Sequence, residues 1–128
     1  MKNKNYNDYF QDILDSINEI DDFVKGMTFG DFTKDRKTIN AVVRSIEVIG
    51  EAAKNIPPAV RAKYPDIPWK NMSGMRDKLI HEYFGIDLEI IWQTIKTDLP
   101  VIKQPIVNII SARGGSPPDG RAGAYGTG

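Results

Sequence analysis

Apolar residues recur at three- and four-residue steps in two long stretches of this chain, and that spacing restricts the fold more than any other feature. Tyr6, Phe10, Ile13, Leu14, Ile17, Ile20 and Val24 trace one stripe over about five helical turns. Ile39, Val42, Val43, Ile46, Ile49, Ala53 and Ile56 trace a second. Gly26 marks the end of the first, because glycine accepts the left-handed backbone that closes a helix. Asp35 or Thr38 starts the second helix and Pro57-Pro58 ends it, with Pro58 able to open a short turn through Tyr64. Asp66-Ile67-Pro68-Trp69 begins another helix, with the proline in its first turn, running to about Tyr83 and closed by Gly85. Asp87 caps the next, Leu88 to about Asp98, which packs through Leu88, Ile91, Trp92 and Ile95. A last helix spans Leu99 to Ile110, with Pro100 in its first turn, and Pro105 implies a kink or an early end. No segment alternates like a strand and no Asn-Gly pair marks a hairpin. The expected architecture is all-α: an up-down bundle of four to five helices.

A chain of 128 residues suffices for one domain. Residues 112–128, ARGGSPPDGRAGAYGTG, hold six of the 11 glycines and too little apolar surface to offset their ordering entropy. They read as a flexible tail, native or appended, which leaves 1–111 as the folded domain. Lys plus Arg (17) balances Asp plus Glu (17), and setting aside Arg113, Arg121 and Asp119 of the tail leaves 15 against 16. No strong overall field therefore draws the protein to nucleic acid or an anionic membrane, and any RNA binding is expected to be local and modest. With no cysteine, disulfides, thiolate zinc sites and a cysteine nucleophile are excluded. Apolar runs fall short of the roughly 20 residues that span a bilayer, and the first residues lack the apolar core of a signal peptide. A cytoplasmic protein with no membrane partner is expected.

One segment carries chemistry: Arg76-Asp77-Lys78-Leu79-Ile80-His81-Glu82-Tyr83, which holds the only histidine. An unperturbed imidazole titrates near pH ~6.5, which suits it to proton transfer at neutral pH. Arginine presents a fixed cation with several donors, matched to a phosphoryl group whose charge spreads over its oxygens. A tyrosine phenol donates a hydrogen bond and can accept a transferred group. Asp77 lies four residues before His81, on the same helix face, and either orients the imidazole or pairs with Lys78 or Arg76. Each of these residues alone is more often structural than catalytic.

Together they resemble the R-x4-H-x-Y signature of the HepT toxin family, within the wider HEPN group of helical ribonucleases. Arg76, His81 and Tyr83 fall on its three fixed positions. Ile46-Glu47-Val48-Ile49-Gly50-Glu51-Ala52-Ala53-Lys54 is similar to the family's second helix, and Pro68-Trp69 with Met75-Arg76 to its approach to the motif. The resemblance covers Tyr6 to about Ile110. It implies a homodimeric, HEPN-like bundle and a metal-independent endoribonuclease of a toxin–antitoxin system. Arg76 and His81 are then the catalytic residues and Asp77 a supporting one. It further implies a nucleotidyltransferase antitoxin of the MNT type that neutralises the toxin by transferring AMP to Tyr83.

Helix geometry bears on that implication. At about 100° per residue, Arg76 and Tyr83 share a face to within roughly 20°, whereas His81 points roughly 140° from Arg76. Either the helix unwinds before Gly85 or a second chain completes the site. Metal-free RNA cleavage needs both a base and an acid, and a two-fold dimer supplies two histidines where one chain supplies one. A competing reading is a non-catalytic, nucleotide-binding partner of a nucleotidyltransferase, with Arg76 and His81 as phosphate ligands. No cofactor is implied, and the scattered carboxylates with one histidine lack metal-ligand spacing. Trp69 and Trp92 read as core or interface anchors. Arg44, Glu47 and Glu51 share a helix face, as a solvated ion-pair ladder or as a polar seam along an interface.

Overall fold

The computed structural model describes residues 5–75, 77 and 87–112. Among them every regular element is helical: α1 (Tyr6–Phe23), α2 (Phe29–Thr33), α3 (Arg36–Asn55), α4 (Pro58–Arg61), α5 (beginning at residue 69), α6 (Leu88–Gln93) and α7 (Leu99–Ala112). The all-α expectation holds, and two short helices, α2 and α4, sit between the long ones.

Local chemistry sets the helix starts. The Asn5 side chain accepts a hydrogen bond from the Asn7 N–H at 2.8 Å, while the Asp8 carboxylate accepts from the Asn5 N–H at 3.2 Å. This reciprocal cap satisfies donors that the first turn of α1 leaves open. Asp35, rather than Thr38, caps α3: its carboxylate accepts from the Thr38 N–H at 3.0 Å. That backbone bond holds the Asp35 carboxyl below the usual carboxylate range. Asp87 caps α6 in the same way, through the Ile90 N–H at 3.2 Å. Gly26 has φ +77°, the left-handed conformation expected where the chain leaves α1.

The core lies between α1, α3 and α7. Phe10, Ile13, Leu14, Ile17 and Ile20 of α1 meet Val42, Ile46, Ile49 and Ala53 of α3, all buried. Ser45 Oγ of α3 donates to Glu19 of α1 at 3.5 Å, while Tyr9 and Asp12 share a groove with Glu51 and Asn55. The early part of α1 therefore faces the late part of α3, as in an antiparallel hairpin. Ile102, Ile106, Ile109 and Ile110 of α7 close the core. Each fully buried side chain of this size contributes about 1.5–3 kcal/mol, so packing outweighs the caps.

Several points differ from the sequence reading. The five-residue α2 has no counterpart in the sequence reading; it is held by a Thr28–Asp31 capping box at 3.0 and 3.1 Å and by Phe32, which is fully buried beside Trp92. Pro68 is not in the first turn of α5 but just before it, where its carbonyl accepts the Met72 N–H at 3.0 Å. Finally, no break separates the helices expected at Leu88–Asp98 and Leu99–Ile110. A π-helical turn, Thr94–Asp98, joins α6 to α7. Pro100 explains it: in an α-helix its ring would press on the Lys96 carbonyl and supply no N–H. The wider turn, in which the Leu99 N–H reaches the Thr94 carbonyl, accommodates the proline without ending the helix. Pro105 does not end α7 either, and Val101, whose carbonyl lacks the Pro105 N–H, lies on a face open to water. Pro58 opens α4 as expected, but the helix stops at Arg61, short of Tyr64.

Candidate active site

The part of α5 that leads into the motif is anchored firmly. Trp69 is buried against Phe10, with ring centroids 5.9 Å apart, and its Nε1–H donates to the carbonyls of Arg61 and Tyr64 at 3.2 and 3.1 Å. Those bonds tie the start of α5 to the end of α4, and satisfy the polar edge of a ring that otherwise fills core space. Met72 and Met75 follow at three-residue steps and are buried, while Lys70, Asn71, Gly74 and Asp77 are exposed. The inward and outward faces of α5 are thus set before the motif is complete. Trp69 serves as the core anchor expected of it.

Of the four site residues singled out in the sequence, only Asp77 lies among the described residues. It is helical and exposed. Arg76, His81 and Tyr83 lie outside the described residues, as do the expected end of the helix near Tyr83 and its stop at Gly85. The partners proposed for Asp77 (Arg76, Lys78 and His81) lie there too.

What the fold adds is a second wall. A groove of about 610 Å³ runs between α5 and the π turn with the start of α7. Lys70, Asn71 and Gly74 line one side, Thr97 and Asp98 the other, and Met75 and Ile102 form its floor. A Cβ added at Gly74 would meet no described residue within 4 Å. Sequence reasoning did not find this groove. Gly74 was the available signal, since an exposed glycine inside a helix weakens it without a packing reason.

Elsewhere, Arg44 and Glu47 form an i,i+3 ion pair at 3.8 Å, with the Arg44 side chain 76% exposed. A pair so solvated contributes at most about 1 kcal/mol. Trp92 stacks at a tilt on Phe29 and Phe32, with Lys96 Nζ 4.8 Å from its ring centre, and joins α2 to α6. Among the described residues no three His, Cys, Asp or Glu side chains cluster closely enough to hold a metal ion. No helix among them is long and apolar enough to cross a membrane.

The family model described as "Ribonuclease HepT-like" matches residues 13–109, which include the whole Arg76–Tyr83 motif. The chain belongs to the HepT-like ribonuclease family. Its HepT-like relatives include a probable ribonuclease HepT of Thermococcus cleftensis, 47% identical over 100 residues that cover 78% of this chain and 91% of that protein. A provisionally named RNase of Methanocaldococcus jannaschii is 49% identical over 110 residues, covering 86% of this chain and 91% of its own. Another provisionally named RNase, from Caldanaerobacter subterraneus, is 46% identical over 102 residues, 80% and 91% of the two chains. No solved structure matches the chain.

Proposed function

We propose that this HepT-like chain is a metal-independent endoribonuclease toxin whose site forms between two protomers. The observation that carries the proposal is the R-x4-H-x-Y set, Arg76, His81 and Tyr83, inside the segment shared with the ribonuclease family. The outward face of α5 supports it. On an ideal helix position 81 falls within roughly 40° of exposed Lys70, Gly74 and Asp77 and roughly 80° from exposed Asn71, on the side where a second protomer can reach an imidazole. Position 76 falls roughly 140° away, so a guanidinium and an imidazole meet more readily across a two-fold axis than along one helix.

In the resulting cleft, one His81 takes the proton of the ribose 2′-hydroxyl as that oxygen attacks phosphorus. The other His81, as imidazolium, gives its proton to the departing 5′-oxygen. The paired Arg76 side chains stabilise the charge of the pentacoordinate phosphate. The products carry a 2′,3′-cyclic phosphate, or the 3′-phosphate from its hydrolysis, and a 5′-hydroxyl. Asp77 positions the imidazole. Control falls on Tyr83: an antitoxin nucleotidyltransferase of the MNT type transfers AMP from ATP to its phenol oxygen, releasing pyrophosphate and the phenol proton, and the added phosphate charge and bulk exclude RNA from the cleft.

The test is cleavage of RNA in the presence of EDTA by the wild-type chain and His81→Ala, with analysis of product ends. Cleavage by the wild type alone, leaving cyclic phosphate, is expected. Equal cleavage by the variant, or loss of cleavage in EDTA, contradicts the mechanism. Mass spectrometry of the Tyr83 peptide after co-expression with the cognate nucleotidyltransferase tests the control step, and no mass gain on that peptide contradicts it.

A further inference from the structure

The groove between α5 and the π turn sets an exposed helical glycine against an irregular wall. Gly74 stands on the exposed face of α5, where alanine would be the better helix former and where a Cβ has open space. The opposite wall is the π turn, an irregularity that recurs at functional sites. Its exposed Thr97 and Asp98 face exposed Lys70 and Asn71 across a floor of buried Met75 and Ile102. At about 610 Å³ the groove lies within the common range for small-ligand sites, roughly 300–1,000 Å³.

The geometry points to a nucleotide subsite: the groove holds one nucleotide of single-stranded RNA beside the bond that is cut. This assignment rests on the nuclease reading and deepens it. Lys70 neutralises the backbone phosphate, and Asn71, Thr97 and Asp98 offer amide, hydroxyl and carboxylate groups to a base edge. The apolar floor takes the flat face of the base, and the bare Gly74 backbone lets the strand lie close to α5. On an ideal helix position 81 falls within roughly 20° of Gly74, so a strand seated in the groove leads toward the imidazole. Pro68 and exposed Val101 add apolar surface beside the floor, and the polar rim with its one cation, Lys70, suits a nucleotide's mixed apolar and polar faces.

Gly74→Ala, Gly74→Gln and Lys70→Gln test the assignment. Thermal unfolding, sedimentation, binding of a fluorescein-labelled pool of random single-stranded RNA and cleavage of the same pool would be measured on each. Gly74→Ala is expected to raise Tm by about 3 °C, because no described residue opposes the methyl group. Gly74→Gln, also a fair helix former, should stay folded and weaken RNA binding about tenfold by filling the groove. Lys70→Gln should weaken binding and lower the slope of log Kd against log salt by about 0.7, the share of one single-strand phosphate. For both glutamine variants KM rises while kcat is kept.

Unchanged RNA affinity and KM in the two glutamine variants overturn the subsite. So does a Gly74→Gln variant that sediments as a smaller species than the wild type, since the groove would then seat a second copy of this chain. If the wild-type chain binds RNA and does not cut it, while these variants bind more weakly, the subsite stands and the nuclease reading fails. Should the wild type bind no RNA, both fall.

Discussion

At the scale of single residues, the fold rests on a few side chains with several partners each. Phe10 has no exposed surface and meets Tyr6, Tyr64 and Trp69 with ring centroids 5.9–6.3 Å apart. Phe10→Ala should therefore cost about 3–5 kcal/mol in denaturant unfolding, from lost transfer free energy and from the cavity left behind. Trp69→Phe keeps an aromatic ring but shrinks the buried indole and deletes the donor shared by the Arg61 and Tyr64 carbonyls, and should cost about 2–3 kcal/mol. Asp35 makes a pH-dependent contribution. Its carboxyl titrates below its ordinary range because the folded chain bonds the ionised form at the Thr38 N–H. The cap is thus at full strength above the ordinary carboxylate range and is lost as pH falls through the lowered value. Asp35→Ala should lower Tm at neutral pH, Asp35→Asn should restore most of the difference, and the gap between wild type and Asp35→Ala should close in acid. A gap that stays constant down to pH ~2 would show that the carboxylate is not the capping group.

At the scale of elements, two prolines shape the helical path from residue 88 to 112. Pro105 removes one backbone donor inside α7 and leaves the Val101 carbonyl to water. Restoring the donor with Pro105→Ala should stabilise the protein by about 1–2 kcal/mol in urea unfolding, less than the full interior-proline penalty because the native backbone already accommodates the ring. Destabilisation would mean that the ring's own packing outweighs the missing bond. The same region shows why sequence reading succeeds for some elements and not for others. α1 and α3 were legible because each carries a stripe of seven apolar positions and a recognisable cap or stop, as at Gly26 and Asp35. α2 was not, since five residues hold too few apolar positions to show a period; only the Thr28-x-x-Asp31 pattern announces it. The joint at Pro100 was misplaced because proline marks helix starts locally, whereas here burial of Ile95, Leu99 and Ile102 holds the helix together across a widened turn. The Arg76–Tyr83 motif was legible as a pattern of chemistry. The groove beside it was not, because its walls come from segments more than 20 residues apart that only the tertiary fold brings together.

At the scale of the whole molecule, charge and symmetry decide what the chain can do with RNA. With 17 cationic and 17 anionic side chains, affinity for RNA must come from local cations, and its salt dependence should be shallow, reflecting a few phosphates at most. In the proposed mechanism one histidine per chain leaves the two proton-transfer steps to two protomers. The most direct test of that claim is activity in mixed dimers. Wild-type chain and His81→Ala would be refolded together in equal amounts, allowed to exchange, and assayed against pure wild type at the same total concentration. If each site needs both histidines, only wild-type pairs cut RNA and activity falls to about a quarter. Activity held at about a half would mean that each subunit carries a self-sufficient site, and would contradict the shared cleft.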